Sequence, residues 1–372
     1  MADPELQRQL GACERHEIFS ALAMAVADRL GLTLAQEDLA PRARAVPVEP
    51  TPEWPPLEWL PVGFVPSEYG PLVDWAYFGD DALQDSFFEE SVQRARSRPF
   101  NRVFRRVTRL DDFIDNALPD EAAPLRGLVY HMSRCGSTLV AQMLGALPAT
   151  LSLSEPGPFD AAIRLAMSRA DLAGERGGAL LRAMASALGR ARRSERHCFF
   201  KLDSWHILAF QRIQAALPHV PWVYLFRDPV EVLVSQVRLR GYQTVPELVP
   251  SGLYDIGDDV PGPEDLCARI LAKHHEAAIC ALAGPQGMAI NYASLPDALA
   301  DRLAPHFGLS LTRDERAAVA RASRRNAKAP EQLFVPDGAR KHVDASPAIL
   351  EAVRCHLAAL HGKLEDAENL AS

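Results

Sequence analysis

Residues 127–139, GLVYHMSRCGSTL, constrain this chain more than any other stretch. The apolar run 127–131 reads as a short buried strand. Ser133, Arg134, Cys135 and Gly136 break it. From Ser137 or Thr138 a helical pattern begins, with Leu139, Val140, Met143, Leu144 and Leu147 on one side and Pro148 as its stop. Strand, tight loop and helix N-terminus form the geometry that binds phosphate, because the first helical amides have no intrahelical partner and the dipole end is positive. Gly136 lets an anion approach the backbone. Ser137 and Thr138 bring hydroxyls, and Arg134 brings a forked cation. The loop alone is equally compatible with an ordinary βα turn and an N-capping Ser.

From residue 127 onward strands and helices alternate. Short apolar runs at 198–202, 222–226 and 287–291 are separated by helical patterns at 205–217, 229–240 and 263–283. Pro229 stands at a favoured first-turn position, Thr312 with Glu315 makes a capping box, and Ser346 caps a last helix. Such alternation predicts an α/β fold, a mainly parallel sheet flanked by helices. Ligands of such sheets sit outside the carboxyl ends of the strands. The 132–138 loop and the segment after Phe226 are therefore expected at one rim.

The first 120 residues read differently. Ile18, Leu22, Val26 and Leu30 form a stripe at spacing four, which predicts helix packing. Residues 41–70, rich in Pro and Glu and carrying Trp54 and Trp59, read as an irregular segment over a surface. Helical patterning returns over 71–118. There Arg102, Arg105, Arg106 and Arg109 cluster; a solvated face above buried Val103, Phe104, Val107 and Leu110 is preferred to a basic rim for an anionic substrate. The division expected is a mostly helical extension, 1–120, and an α/β domain, 121–372.

A net charge of −8 argues against coating nucleic acid or binding anionic lipid. No run reaches the roughly 18 apolar residues of a membrane helix, and the polar N-terminus lacks an apolar signal core. The six scattered cysteines show no CxxC and no zinc spacing. A soluble, cytoplasmic protein with reduced, mostly buried thiols is expected. Oligomeric state is not legible.

The second anchor is FRDPVEVLVSQ. Arg227 follows the strand 222–226 directly and Ser235 lies two turns into the next helix. A guanidinium and a hydroxyl converging there suit a second phosphate; pairing of Arg227 with Asp228 or Glu231 is the plain alternative. The two anchors together, in this order and spacing, resemble the sulfotransferase family, which transfers a sulfuryl group from 3′-phosphoadenylyl sulfate (PAPS). The resemblance runs from about Gly127 to about Leu295. It implies a P-loop NTPase-like fold, with PAPS as co-substrate and a hydroxyl or amine acceptor of small-molecule or peptide character. No metal is implied.

Carried onto this chain, the resemblance assigns the 5′-phosphosulfate to Arg134, Cys135, Gly136, Ser137, Thr138 and Leu139, and the 3′-phosphate to Arg227 and Ser235. Lys201 matches a strand-end lysine near the transferred group, and Tyr292 a late strand–Tyr–x–x–Leu element. Cys135 stands where many relatives have Ser, which keeps the backbone amide. Glu155 and Asp203 are both candidates for the base, Glu155 being favoured; His131 and His206 are weaker, since a lone histidine beside an apolar strand is more often a core residue. The basic C-terminal cofactor loop is not evident, with Arg324, Arg325, Lys328, Arg340 and Lys341 as candidates. His274, His275 and Glu276 do not fit HExxH and read as surface residues. A P-loop kinase would need GxxxxGK[ST], which is absent. A cysteine phosphatase would need its Arg after Cys135, not before it. A non-catalytic nucleotide-binding module of the same fold is the other alternative.

Overall fold

The computed structural model describes residues 3–41, 48–241, 244–245, 249–250, 252–256, 262–326, 329–333 and 338–370. It divides into two units: Met1–Pro124 with Pro156–Arg196, and Leu125–Glu155 with His197–Ser372. Residues 156–196, read from the sequence as part of the α/β domain, thus group with the N-terminal elements.

The second unit is built on five strands: β4 (Leu125–His131), β5 (Thr150–Ser154), β6 (His197–Lys201), β7 (Trp222–Phe226) and β8 (Gly287–Asn291). Every neighbouring pair is parallel, in the order β5-β6-β4-β7-β8. In β7, all five residues are buried, which is why WVYLF reads as an unbroken apolar run. Helices Ser137–Gly145, Phe210–Ala216, Pro229–Arg238 and Pro263–Leu282 flank the sheet. The expected caps are present: Thr312 and Glu315 reciprocate, and Ser346 accepts from Ile349; Asp228, not singled out as a cap by the sequence, accepts from Val230 and Glu231.

The order matters for function. The first strand, β4, is central. The chain goes from it to one side for β5 and β6, then crosses to the other side for β7 and β8. The connections diverge at the β4–β7 pair, and a crevice opens at such a switch point.

One expectation fails here. His274 and His275 are not surface residues but fully buried on Pro263–Leu282. The Tyr224 hydroxyl pairs with His275 Nδ1 at 3.0 Å and the Tyr254 hydroxyl with His274 Nε2 at 3.3 Å. A 20-residue helix packed against a sheet buries a wide face, and imidazoles with hydroxyl partners are tolerated there. Glu276 is exposed, as expected.

The first unit holds a three-stranded antiparallel sheet that the sequence reading did not anticipate: β1 (Trp59–Val65), β2 (Leu72–Tyr77) and β3 (Arg106–Arg109), in that order. Residues 59–65 were expected to be irregular. Their pattern is hidden by Pro61 and by a bulge at Gly63, whose φ is 145°. Pro and bulges are tolerated because β1 is an edge strand. Trp54 and Trp59 belong to the core, 6% and 1% exposed. Trp54 stacks on Phe113 at 5.0 Å and packs with Trp75 at 5.7 Å. Helices Pro4–Gly11, His16–Arg29, Phe88–Ser97, Gly157–Ser168 and Glu175–Leu188 complete this unit.

The spacing-four stripe on His16–Arg29 is also corrected. Ile18 and Leu30 are exposed, while Phe19, Ala23 and Val26 are buried. A strict spacing of four drifts about 40° per step around a helix of 3.6 residues per turn, so its ends leave the packed face.

Candidate functional site

The parallel sheet brings the predicted residues together at one rim because each sits at, or just beyond, a strand's carboxyl end. The register aligns Ser154 with Lys201, Lys201 with Val129, His131 with Leu225, and Phe226 with Asn291. Glu155, Lys201, the loop after His131, Arg227 and Tyr292 follow in a row across all five strands.

The loop between β4 and its helix is held in an uncommon conformation. Ser133, Arg134 and Gly136 all have positive φ, at 71°, 54° and 84°. Left-handed backbone at two non-glycine residues needs support from its surroundings. His131 supplies some: the Ser133 N–H donates to its Nδ1 at 2.9 Å, and its Nε2 faces the Leu202 carbonyl at 2.9 Å. The first bond requires Nδ1 to be unprotonated, so Nε2–H is the donor to Leu202. Burial, then the Lys201 charge, pushes this imidazole down to about 4, which keeps it neutral. His131 is therefore a structural pin for the loop, as a buried histidine usually is.

The helix Ser137–Gly145 starts from Gly136 as N-cap, and no side chain caps it. The reading with an N-capping Ser is thus not what the loop adopts. Its first turn, Ser137, Thr138 and Leu139, presents amides of the kind that bind anions. A Cβ on Gly136 would lie 2.4 Å from the Tyr292 ring, so glycine is required by close packing as well as by backbone angle. Cys135 points the other way: its thiol is fully buried and donates to the Leu225 carbonyl at 3.3 Å. Burial pushes it up to about 11, which leaves it inert as a nucleophile.

Three cations line this rim, each with an internal partner. Arg134 donates to the Leu239 carbonyl at 2.7 Å; burial lowers its pKa and the Glu155 charge opposes that. Lys201, 2% exposed at its side chain, pairs with Glu155 Oε1. Arg227 donates from Nε to Glu231 at 2.6 Å, with a second contact from its terminal nitrogen, and its guanidinium lies 4.2 Å above the Tyr292 ring. Ser235 donates back to the Glu231 carbonyl at 2.8 Å. The plain alternative, an Arg227–Glu231 pair, is what the structure contains. Arg227, just before the helix Pro229–Arg238, and Ser235 within it nevertheless both contact Glu231.

Glu155 is the more distinctive carboxylate. It directly follows β5, with φ 49°, and its N–H donates to the Lys201 carbonyl at 2.7 Å. Burial alone would raise its pKa, but Lys201 and His131 outweigh burial and hold the carboxyl well below the usual range. Asp203, 6% exposed, opens the short turn Ser204–Ala209; its N–H donates to His206 Nδ1 at 3.2 Å, and its carboxylate lies 3.9 Å from His206 Nε2. This is the geometry of a helix-start residue, with His206 buried beside it.

Among the basic C-terminal candidates, the helix Gly338–Val343 meets the helix Pro229–Arg238. A Cβ on Gly338 would lie 2.7 Å from Glu231, His342 stands 3.5 Å from Asp228, and Lys341 is 7% exposed. Arg340 is exposed beside Asp344. Arg324 and Arg325 are exposed, and Lys328 lies outside the described residues. Sequence reasoning missed the pinning role of His131. It also missed the Met132 sulfur, which accepts from the Arg227 N–H at 3.3 Å and ties the two anchors together; no sequence signal marks that contact.

No family model and no curated protein matches the chain. Among solved structures it is similar to the sulfotransferase domain from the curacin biosynthetic pathway, at 14% identity and TM-score 0.38, covering 63% of this chain and 98% of that one. It is similar to the sulfotransferase domain from the Synechococcus PCC 7002 olefin synthase, at 14% identity and TM-score 0.37, covering 68% and 96%. It is also similar to a mouse sulfotransferase solved in complex with PAP, at 14% identity and TM-score 0.34, covering 69% and 91%.

Proposed function

We propose that this chain transfers a sulfuryl group from PAPS to a hydroxyl or amine of an acceptor. One observation carries the reading: Glu155, Lys201, the 132–138 loop, Arg227 and Tyr292 stand side by side at the carboxyl ends of five parallel strands. The residues fit the donor. The uncapped first turn after Gly136 suits the 5′ phosphosulfate, and Arg227 with Ser235, both on Glu231, suits a 3′-phosphate. PAPS supplies an activated sulfuryl group whose departure leaves negative charge on a phosphate oxygen.

The chain's residues divide the work. Arg134, Lys201 and the loop amides stabilise the charge that develops on the leaving side. Arg227 exchanges Glu231 for the phosphate, staying on the Tyr292 face. Glu155 Oε1 takes the acceptor's proton. While Lys201 lies against it, Glu155 is ionised but weakly basic; as Lys201 turns toward the leaving oxygen, Glu155 gains basicity. Asp203 orients the segment after β6. The acceptor is a small molecule or peptide side chain, the reaction needs no metal, and the setting is cytoplasmic. Among the described residues no helix is long and apolar enough to cross a membrane.

The test is product formation. Purified protein with PAPS and a panel of phenols, alcohols, amines and tyrosyl peptides should release adenosine 3′,5′-bisphosphate. Glu155→Gln should lower that release at least 100-fold while binding of the bisphosphate persists. Turnover of ATP would instead indicate a kinase. Bisphosphate binding without turnover on any acceptor would indicate a non-catalytic module.

A further inference from the structure

The last helix, Ala358–Leu370, packs against β8 and against the helix Pro263–Leu282. His361, Leu364 and Glu368 follow one another at spacings of three and four, so they share one face. Leu364 is fully buried and Glu368 is 7% exposed. A carboxylate is costly to bury unless partners fill its oxygens. Those of Glu368 are filled. Its Oε2 accepts the Asn291 N–H at 3.0 Å. Its Oε1 accepts the Ser294 hydroxyl at 2.9 Å and Arg302 Nη1 at 2.7 Å. Arg302 also donates from Nη2 to the Glu368 carbonyl at 3.2 Å, which fastens the helix at this point.

The residues that Glu368 grips frame Tyr292. Asn291 is the last residue of β8, and Tyr292–Ser294 form one tight turn after it. Asn291 Oδ1 accepts the Ala293 N–H at 3.0 Å, closing the turn from inside. The Tyr292 ring then has two neighbours at the rim. A Cβ on Gly136 would lie 2.4 Å from it, and the Arg227 guanidinium carbon lies 4.2 Å from its centre. One neighbour belongs to each of the two anchors. About two turns before Glu368, His361 packs edge-on against Phe226, with ring centres 5.3 Å apart. Phe226 directly precedes Arg227 and is aligned with Asn291. One face of the last helix therefore props the carboxyl ends of β7 and β8, the strands that deliver Arg227 and Tyr292.

We propose that Glu368 is a positioning residue of the rim. By holding the Asn291–Ser294 turn it sets the Tyr292 ring, and through that ring the spacing between the Gly136 loop and Arg227. It acts through Tyr292 and not on the ligand. The proposal rests on the reading of the rim as a bisphosphate nucleotide site. A residue that only fastened the last helix would change stability when replaced, and would leave ligand affinity alone far below the melting transition.

The experiment is calorimetric titration of the full chain with adenosine 3′,5′-bisphosphate, run well below the melting transition of every variant. Glu368→Gln should weaken the bisphosphate about tenfold. Ser294→Ala, which removes a single bond, should weaken it less, and serves if Glu368→Gln fails to fold. In a Tyr292→Ala background Glu368→Gln should cost no further affinity, because its effect runs through the ring. A second arm needs no ligand. In protein labelled with 3-fluorotyrosine, the Tyr292 fluorine resonance, assigned by its loss in Tyr292→Phe, should shift in Glu368→Gln and in Ser294→Ala. Folded variants with wild-type affinity, an additive loss in the double variant, or an unmoved Tyr292 resonance would overturn the proposal. Absence of bisphosphate binding by the wild type would instead sink the nucleotide-site reading, and the fluorine resonance alone would then decide whether Glu368 sets Tyr292.

Discussion

The two units bury cations in different ways. At the sheet rim, Lys201 and Arg227 are each held by a carboxylate, Glu155 and Glu231. In the first unit, Arg190 is 0% exposed and donates to the Pro56 and Trp59 carbonyls, both at 3.0 Å, with the Trp54 and Trp75 rings 5.3 and 5.6 Å from its guanidinium carbon and Glu121 at 2.7 Å. A carboxylate partner can be exchanged for the anionic group of a ligand. Arg190 has one such partner, Glu121, but the backbone carbonyls and indole faces that also hold it cannot be exchanged. The rim cations are held by carboxylates, the kind of partner an anionic ligand replaces, and Arg190 is a strut that ties β1, the segment before it and the aromatic core into one piece.

The contrast is broken most severely by removing the strut. Arg190→Met should destabilise the protein by about 3–5 kcal/mol, because its buried acceptors lose their donor; urea unfolding measures this. If stability were unchanged, the strut would be an ornament. Lys201→Ala should leave the fold intact but lower turnover about 100- to 1,000-fold, measured as bisphosphate release. In the same variant the Glu155 carboxyl should titrate nearer the usual range, having lost its main cationic support.

A third test uses pH. Burial pushes His274 and His275 down to about 3, below the value near 6.5 of an unfolded chain. Between those values the unfolded state binds more protons, so stability is complete above pH 6.5 and is lost as pH falls toward 3. By pH 5 each should cost about 2 kcal/mol. A His275→Gln variant should show a flatter stability profile between pH 7 and 5; an unchanged slope would mean the imidazole is not buried neutral. The smallest effect belongs to the misjudged stripe. Ile18, 48% exposed, should tolerate Ser within about 0.5 kcal/mol, whereas Phe19→Ala on the buried face should cost several times more by thermal unfolding.

The same contrast explains what the sequence disclosed. Parallel strands buried on both faces, such as β7, leave apolar runs that need no partner to be recognised. The residues that follow them fall at one rim by topology alone, so Arg134, Lys201, Arg227 and Tyr292 were legible as a set. The edge strand β1 was not: Pro61 and the Gly63 bulge erase its alternation, and Trp59 in a Pro-rich context resembles surface. His274 and His275 were misjudged because burial of a polar side chain depends on a hydroxyl far along the chain, here Tyr224 and Tyr254. Glu155 could be read as a candidate, but not that Lys201 already holds it.

The measurement that bears most directly on the rim is calorimetric titration with adenosine 3′,5′-bisphosphate, beside ATP and AMP, on wild type, Arg227→Ala and Glu231→Gln. If Arg227 is an exchangeable cation in a nucleotide site, the bisphosphate binds tightly and ATP and AMP do not. Arg227→Ala then loses at least tenfold in affinity, and Glu231→Gln, freed of the competing carboxylate, binds as well as wild type or better. No binding, equal binding of ATP, or an Arg227→Ala affinity equal to wild type would contradict the account.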